Sequence, residues 1–283
     1  MVSGQCLCGA VSFEIAGPLS APTLCHCGQC RRINGAPGAF TSAPVTSYRI
    51  RGEESLNWYR SSADAERGSC RICGAKLFWR EVGGATLDVC MGSLNGPTGL
   101  HLAKHIWARH QGDYYAIGDD GVPRYAESSG DAPPIPAEPA PDAGPALTEH
   151  SGGCDCGAVR YRVNGRIRDS VVCHCGQCRR SHGHPPGYSK ARTAEMTVDG
   201  EDAIVWYGSS REARRGFCGK CGSSLFWQRI GAPEISMTAG SLKTPTGLKT
   251  ARHIFAADKG DYYEIADGVH QDPGTMSGNP VTF

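Results

Sequence analysis

The chain has almost no net charge: 29 Lys and Arg stand against 28 Asp and Glu in 283 residues. It has no basic run either, and together these exclude the electrostatic footprint by which proteins hold nucleic acid. They also exclude a chain kept disordered by self-repulsion. No apolar stretch approaches the roughly 20 residues of a membrane span. Met1 to Ala10 lack the basic and apolar segments of a secretory leader, so a reducing, cytoplasmic setting is expected. No stretch carries a long helical period, and aromatics are only 8 % of residues. No H-x-E accompanies a P-C-x-x-C, which removes zinc deaminase chemistry. What is abundant is 38 Gly, 18 Pro and 15 Cys. A loop-rich chain with a modest core needs staples. In a reducing compartment clustered cysteines point to metal ligands or catalytic thiols, and an odd count already spoils complete disulfide pairing.

The cysteines repeat. Cys6, Cys8, Cys25, Cys27, Cys30, Cys70 and Cys73 return as Cys154, Cys156, Cys173, Cys175, Cys178, Cys218 and Cys221, every pair at an offset of 148. Trp58-Tyr59, Phe78-Trp79, Gly92-Ser93-Leu94, His105 and Asp113-Tyr114-Tyr115 recur at the same offset. A period this long is a duplicated domain, not a solenoid unit. The expected boundaries are a first domain at 1–125, a Pro/Ala-rich linker at 126–148, a second domain at 149–272 and a flexible tail at 273–283, with poor order from about Gln271. Alternation in Ala10–Ile15 and Ala158–Val163 predicts strands. So do the short aromatic runs Leu56–Tyr59 and Lys76–Trp79, then Ala85–Val89, Glu234–Thr238, His105–Ala108 and His253–Ala256. The class is all-β, with one short helical turn expected after Cys30 and one after Cys178.

Seven thiols per copy divide as four plus three. Cys6-Leu7-Cys8 and Cys70-Arg71-Ile72-Cys73-Gly74 combine into a four-thiolate structural zinc site, repeated by Cys154, Cys156, Cys218 and Cys221. Cys25-His26-Cys27-Gly28-Gln29-Cys30 recurs verbatim as 173–178. Three thiols hold a zinc but leave its fourth corner open, the mark of a catalytic ion. A histidine closing that corner would make the site structural, with His105 and His253 the candidates. His26 lies between two ligands and points to the opposite face, as an orienting group. Arg31 and Arg179 follow the triads and are partners for a ligand carboxylate, solvated charges, or counter-charges to an anionic three-thiolate zinc. The tryptophans fit the core better than a substrate platform. Cys90, matched by Thr238, reads as a buried small hydrophobe.

Taken together, G-x-C-x-C-G-A-V, C-H-C-x-x-C-R-R, W-Y-x-S-S, C-x-x-C-G and G-S-L resemble the glutathione-dependent formaldehyde-activating enzyme family, which also includes centromere protein V. The resemblance spans both copies. It implies two tandem zinc-bound β-tent domains, with Cys6, Cys8, Cys70 and Cys73 as structural ligands and Cys25, Cys27 and Cys30 around a more labile catalytic ion, the second copy following suit. The implied activity joins glutathione to formaldehyde as an S-hydroxymethyl adduct, a carbon–sulfur lyase reaction in reverse. About two zinc ions per domain and glutathione as co-substrate are expected, with small-molecule thiol and aldehyde as the partners. Neither nucleic acid nor a membrane is expected, and the two domains are expected to pack as a pseudo-dimer. A non-catalytic, zinc-stabilised interaction module is the alternative. His182 and His184, opposite Asn34 and Ala36, mark the clearest chemical difference between the two sites.

Overall fold

The computed structural model describes residues 1–130, 132–138, 141, 142, 144–278, 281 and 282; the remaining positions of the expected linker and tail lie outside it. The first copy runs β1 (Val2–Gln5), β2 (Ser12–Ile15), β3 (Thr23–Cys25), α1 (Gly28–Asn34), β4 (Gly38–Pro44), β5 (Tyr48–Arg51), β6 (Leu56–Arg60), β7 (Ala65–Cys70), β8 (Lys76–Glu81), β9 (Thr86–Cys90) and β10 (Lys104–Ile106). The second repeats it as β11 (Glu149–Gly153), β12 (Arg160–Asn164), β13 (Ser170–Cys173), α2 (Gly176–His182), β14 (Gly187–Arg192), β15 (Met196–Asp199), β16 (Ile204–Gly208), β17 (Ala213–Cys218), β18 (Ser224–Arg229), β19 (Glu234–Thr238) and β20 (Thr250–Ile254). Each copy pairs a small sheet, β1-β2-β5 or β11-β12-β15, with a seven-stranded one. The large sheets run β10-β3-β4-β9-β8-β7-β6 and β16-β17-β18-β19-β14-β13-β20. Pairing is antiparallel except where β10 joins β3 and β20 joins β13. The chain is therefore mainly β and built as two repeated domains. No helix among the described residues is long and apolar enough to cross a membrane.

The alternation in Ser12–Ile15 buries Phe13 and Ile15 between the sheets, as period-two patterning requires. Phe13 meets Phe78 edge-on at 5.1 Å, and Trp58 stacks on Phe78 at 6.1 Å under the Arg80 guanidinium. Tyr161, Phe226, Trp206 and Arg214 repeat this. Both predicted helical turns begin earlier than expected, at Gly28 and Gly176, so Cys30 and Cys178 lie inside the helices. The Cys27 sulfur caps the first turn, accepting the Cys30 N–H at 3.4 Å, which sequence patterns for Ser or Asp caps do not anticipate. Gly35 and Gly183, at φ 75° and 77°, end the helices in the left-handed region that favours glycine. The strands expected at His105–Ala108 and His253–Ala256 stop at Ile106 and Ile254, because Trp107 and Phe255 turn to φ 56° and 54°.

Two further segments are held by contacts of their own. The predicted linker folds back on the first copy, where Ile135 N–H donates to Arg124 O at 2.7 Å. The described part of the tail, 271–278, makes specific contacts. Asp272 is buried, accepts from Ser277 and pairs with Arg252, and Gly274 O accepts from Phe255 N–H. A buried carboxylate needs such partners, and it fixes the chain that supplies them.

The copies interlock. Tyr114 packs into the second core, while Tyr262 and Tyr263 pack into the first. The Asp261 carboxylate accepts from the N–H and hydroxyl of Thr98 and from Gly99 N–H, and Asp113 accepts from Thr246 in the same way. The G-S-L turns lie against the opposite helices. A Cβ on Gly92 would stand 2.2 Å from Arg179 O, and one on Gly240 2.2 Å from Arg31 O, so only glycine permits the approach.

Candidate functional site

Cys6 and Cys8 leave β1 on the small sheet; Cys70 closes β7 and Cys73 lies in the turn before β8 on the large one. Their four sulfurs lie within 4.8 Å of one another, as do those of Cys154, Cys156, Cys218 and Cys221. Cys6–Cys8 and Cys8–Cys70 are 3.5 and 3.8 Å apart, and the second copy gives 3.5 and 3.8 Å. A tetrahedron with zinc–sulfur bonds of ~2.3 Å has edges of about 3.8 Å, so the donors fit that ion. Backbone N–H groups of Val11 and Val159 point at Cys6 and Cys154 from 3.3 and 3.2 Å. S–H donation from Cys70 and Cys73 brings the Cys6 thiol down to about 2. Donation from Cys154 and Cys218 likewise holds Cys221 far below the usual thiol range.

The second cluster forms where a strand turns into a helix. Cys25 ends β3, Cys27 caps α1, and Cys30 follows one turn on, so three sulfurs converge within 4.8 Å. Cys173, Cys175 and Cys178 repeat it. Neither His105 nor His253 joins these groups. His105 uses Nδ1 toward His26 Nε2 at 3.0 Å and Nε2 toward Asp120 at 3.0 Å. His253 is tied in the same way to His174 at 2.9 Å and to Asp267 at 2.9 Å. No other His, Asp or Glu completes the triads among the described residues.

His26 points away from the sulfurs, its Nδ1 against Tyr115 Oη at 2.8 Å; His174 meets Tyr263 Oη at 2.7 Å. Burial keeps both imidazoles neutral, His174 down to about 3. Each copy thus backs its triad with a hydrogen-bonded series of tyrosine, histidine, histidine and aspartate.

The side chains nearest the triad sulfurs include two that sequence reasoning missed. Arg67, 8 % exposed, donates to Cys30 Sγ at 3.5 Å and to Gln29 Oε1 at 3.1 Å. Arg215, 5 % exposed, donates to Cys178 Sγ at 3.4 Å and to Gln177 Oε1 at 2.9 Å. S–H donation from Cys25 and Cys27, reinforced by Arg67, holds the Cys30 thiol well below its usual range; Cys178 is held down likewise with Arg215. Gln29 also donates to Ser61 O at 2.8 Å, which explains the repeated Gln and the W-Y-x-S-S segment. The legible signal was an arginine at the same offset in both copies, in a strand whose inward positions are otherwise apolar or small.

Arg31 and Arg179 give their Nε–H groups to His26 O and His174 O, each at 3.1 Å, and Arg31 adds His110 O at 3.1 Å. Arg32 instead reaches Asp155 of the other copy at 3.1 Å. Cys90 is 2 % exposed, and burial pushes its thiol up to about 12.

Known proteins resemble parts of the chain. A relative from Halomonas elongata, named "Putative glutathione-dependent formaldehyde-activating enzyme", is 29 % identical over 86 residues, covering 28 % of this chain and 55 % of the relative. An uncharacterized lyase of Schizosaccharomyces pombe is 32 % identical over 82 residues, covering 29 % and 58 %. The chain thus spans a little over half the length of these curated relatives. A crystal structure of a Rhodobacter sphaeroides protein is 28 % identical and covers 33 % of this chain and 88 % of its own, with a TM-score of 0.27. The sequence pattern of the glutathione-dependent formaldehyde-activating enzymes matches residues 1–110 and again 149–258. On that double match, the chain belongs to the glutathione-dependent formaldehyde-activating enzyme family.

Proposed function

We propose that the chain is a zinc-dependent carbon–sulfur lyase-type enzyme that joins a glutathione-like thiol to a formaldehyde-like aldehyde. The observation that carries this reading is a pair of three-sulfur clusters with no fourth protein ligand among the described residues, beside tetrads that have all four. In this reading each copy is a β-tent, with domains at 1–125 and 149–272 around the 126–148 linker, and the interlocked copies act as a pseudo-dimer. Cys6, Cys8, Cys70 and Cys73, with Cys154, Cys156, Cys218 and Cys221, hold structural zinc. Cys25, Cys27 and Cys30, with Cys173, Cys175 and Cys178, hold the catalytic ion. Zinc in such a three-thiolate setting supplies a free coordination position and favours loss of the proton from an incoming thiol at neutral pH.

The chain's own groups prepare that position. Arg67 and Arg215 neutralise part of the triad charge. Arg31 and Arg179, aimed at the carbonyls of His26 and His174, position the triad loops. In the addition the thiol sulfur bonds to the aldehyde carbon, the carbonyl electron pair moves to oxygen, and that oxygen takes the proton released by the thiol. No oxidant or reductant is needed. The free thiol clusters suit a reducing cytoplasm.

The test compares formaldehyde consumption by the intact, metal-loaded protein with the unaided reaction in buffered glutathione. A Cys27→Ser, Cys175→Ser double variant should fall to the unaided rate and lose two of about four zinc ions per chain while keeping its circular dichroism. A wild type no faster than buffer would sink the enzyme reading and leave a zinc-stabilised interaction module.

A further inference from the structure

A cavity of about 130 Å³ lies between the copies, behind the triads, where the two tyrosine–histidine–aspartate series face each other. Its halves differ at Leu102 against Thr250, at Ala116 against Glu264 and, by a whole ring, at Ala36 against His184. In the second copy His184, 8 % exposed, fills its side, and its Nδ1 lies 3.0 Å from the Tyr262 hydroxyl, a hydrogen bond in which a neutral imidazole nitrogen can accept the hydroxyl proton. The imidazole stands edge-on to Tyr263 with ring centres 5.0 Å apart. At the matched position of the first copy stands Ala36, also on the cavity wall. The two tyrosines are still there as Tyr114 and Tyr115, 5.0 Å apart against 4.8 Å for Tyr262 and Tyr263.

Tyr114 is 4 % exposed and lines the cavity, yet no hydrogen-bond acceptor meets its hydroxyl proton among the described residues. The Arg31 guanidinium lies close by, but it can only donate, so the hydroxyl proton lacks an acceptor. A buried donor left unpaired is costly, and the missing acceptor is the size of the ring that Ala36 lacks. No Lys or Arg lines the cavity among the described residues; its two aspartates are engaged by His105 and His253, and its one glutamate, Glu264, by Lys259. Nothing there would hold an anion.

We propose that this half of the cavity binds a small neutral azole, one ring in size. A ring nitrogen accepts the Tyr114 hydroxyl proton and the ring edge rests against Tyr115, as the His184 imidazole does in the other half. The proposal goes beyond the thiol–aldehyde reading and does not depend on it.

Oxazole is the probe, because it has the shape and nitrogen acceptor of imidazole but too little basicity to compete for zinc. Titrated into the metal-loaded, full-length chain and followed by saturation-transfer NMR and calorimetry, it should bind at one site. Ala36→His should abolish that binding by filling the gap, and Tyr114→Phe should weaken it about fivefold, the worth of one neutral hydrogen bond. His184→Ala should create a second site beside Tyr262 and raise the stoichiometry to two. Absence of saturable binding, equal binding in Ala36→His, or an unchanged stoichiometry in His184→Ala would each mean that the gap holds only water. Because one variant removes a site and the other adds one, a folding defect in either leaves the other decisive.

Discussion

Cys30 and Cys178 occupy the same place in two copies of one fold, but what stands behind them differs. Arg215, which supports Cys178, also donates to Tyr188 Oη at 3.1 Å. Tyr188 lies 2.7 Å from His182 Nε2, whose Nδ1 faces Asn34 O of the first copy at 2.6 Å. Phe40 and Asn34 occupy those positions around Arg67, and the buried Asn34 Nδ2 has no partner among the described residues. Arg32 finds a carboxylate across the interface at Asp155, whereas Arg180 settles for Gln5 O, Ser93 O and Asn95 Oδ1. All fourteen cluster cysteines survive this divergence. A cluster that could hold a metal keeps its donors through the duplication, whereas a buried polar group is exchanged where its partner changes with it or a void takes its place.

The largest effect should come from a tetrad. If the tetrads hold zinc as proposed, Cys218→Ser removes one ligand of an ion that contributes an apparent ~10–16 kcal/mol in small domains, so the second copy should unfold. Tyr114 is anchored in that copy's core and Tyr262 in the other, so the first copy should be lost with it. Circular dichroism melts with metal analysis decide this. A remaining half that melts like the wild type would show that the copies are energetically independent.

A middle-sized effect is expected at Asp88, whose matched residue in the second copy is Ser236. Burial raises its carboxyl to about 6, and its side chain makes no hydrogen bond among the described residues. The folded protein therefore holds a proton that the unfolded chain has released between pH 4 and 6, and stability attributable to this group falls as pH rises through that window. Asp88→Ser should then stabilise the protein by about 2 kcal/mol at pH 7.5 and by clearly less at pH 5.0. Chemical denaturation at the two values is the measurement, and a pH-independent gain would show that charge burial is not its source.

The smallest is Tyr161→Phe, which gives the second copy the residue of the first at Phe13. Tyr161 Oη lies 2.6 Å from Ser241 Oγ, which keeps its own bond to Thr238 O after the change. A loss of about 1 kcal/mol is expected, read as a small fall in melting temperature. Loss of cooperativity instead would mean that the hydroxyl organises the small sheet.

Sequence by itself determined the duplication, the division of seven thiols into four and three, and the β class. Metal ligation restricts residue type and spacing so sharply that both survive in linear order, and strand burial leaves a period of two. It could not decide the roles of Arg67 and Arg215, because a strand arginine shows its partner only once the strand has been placed beside a helix 37 residues earlier. Trp107 and Phe255 ended strands that apolar runs suggested, since a left-handed turn at an aromatic residue has no composition signal. The Asp-Tyr-Tyr segments were visible as repeats, yet their crossing into the opposite core required the tertiary structure. Local patterns report the chemistry of neighbours in sequence; which copy a side chain serves depends on contacts more than a hundred residues apart, and only the folded chain brings those together.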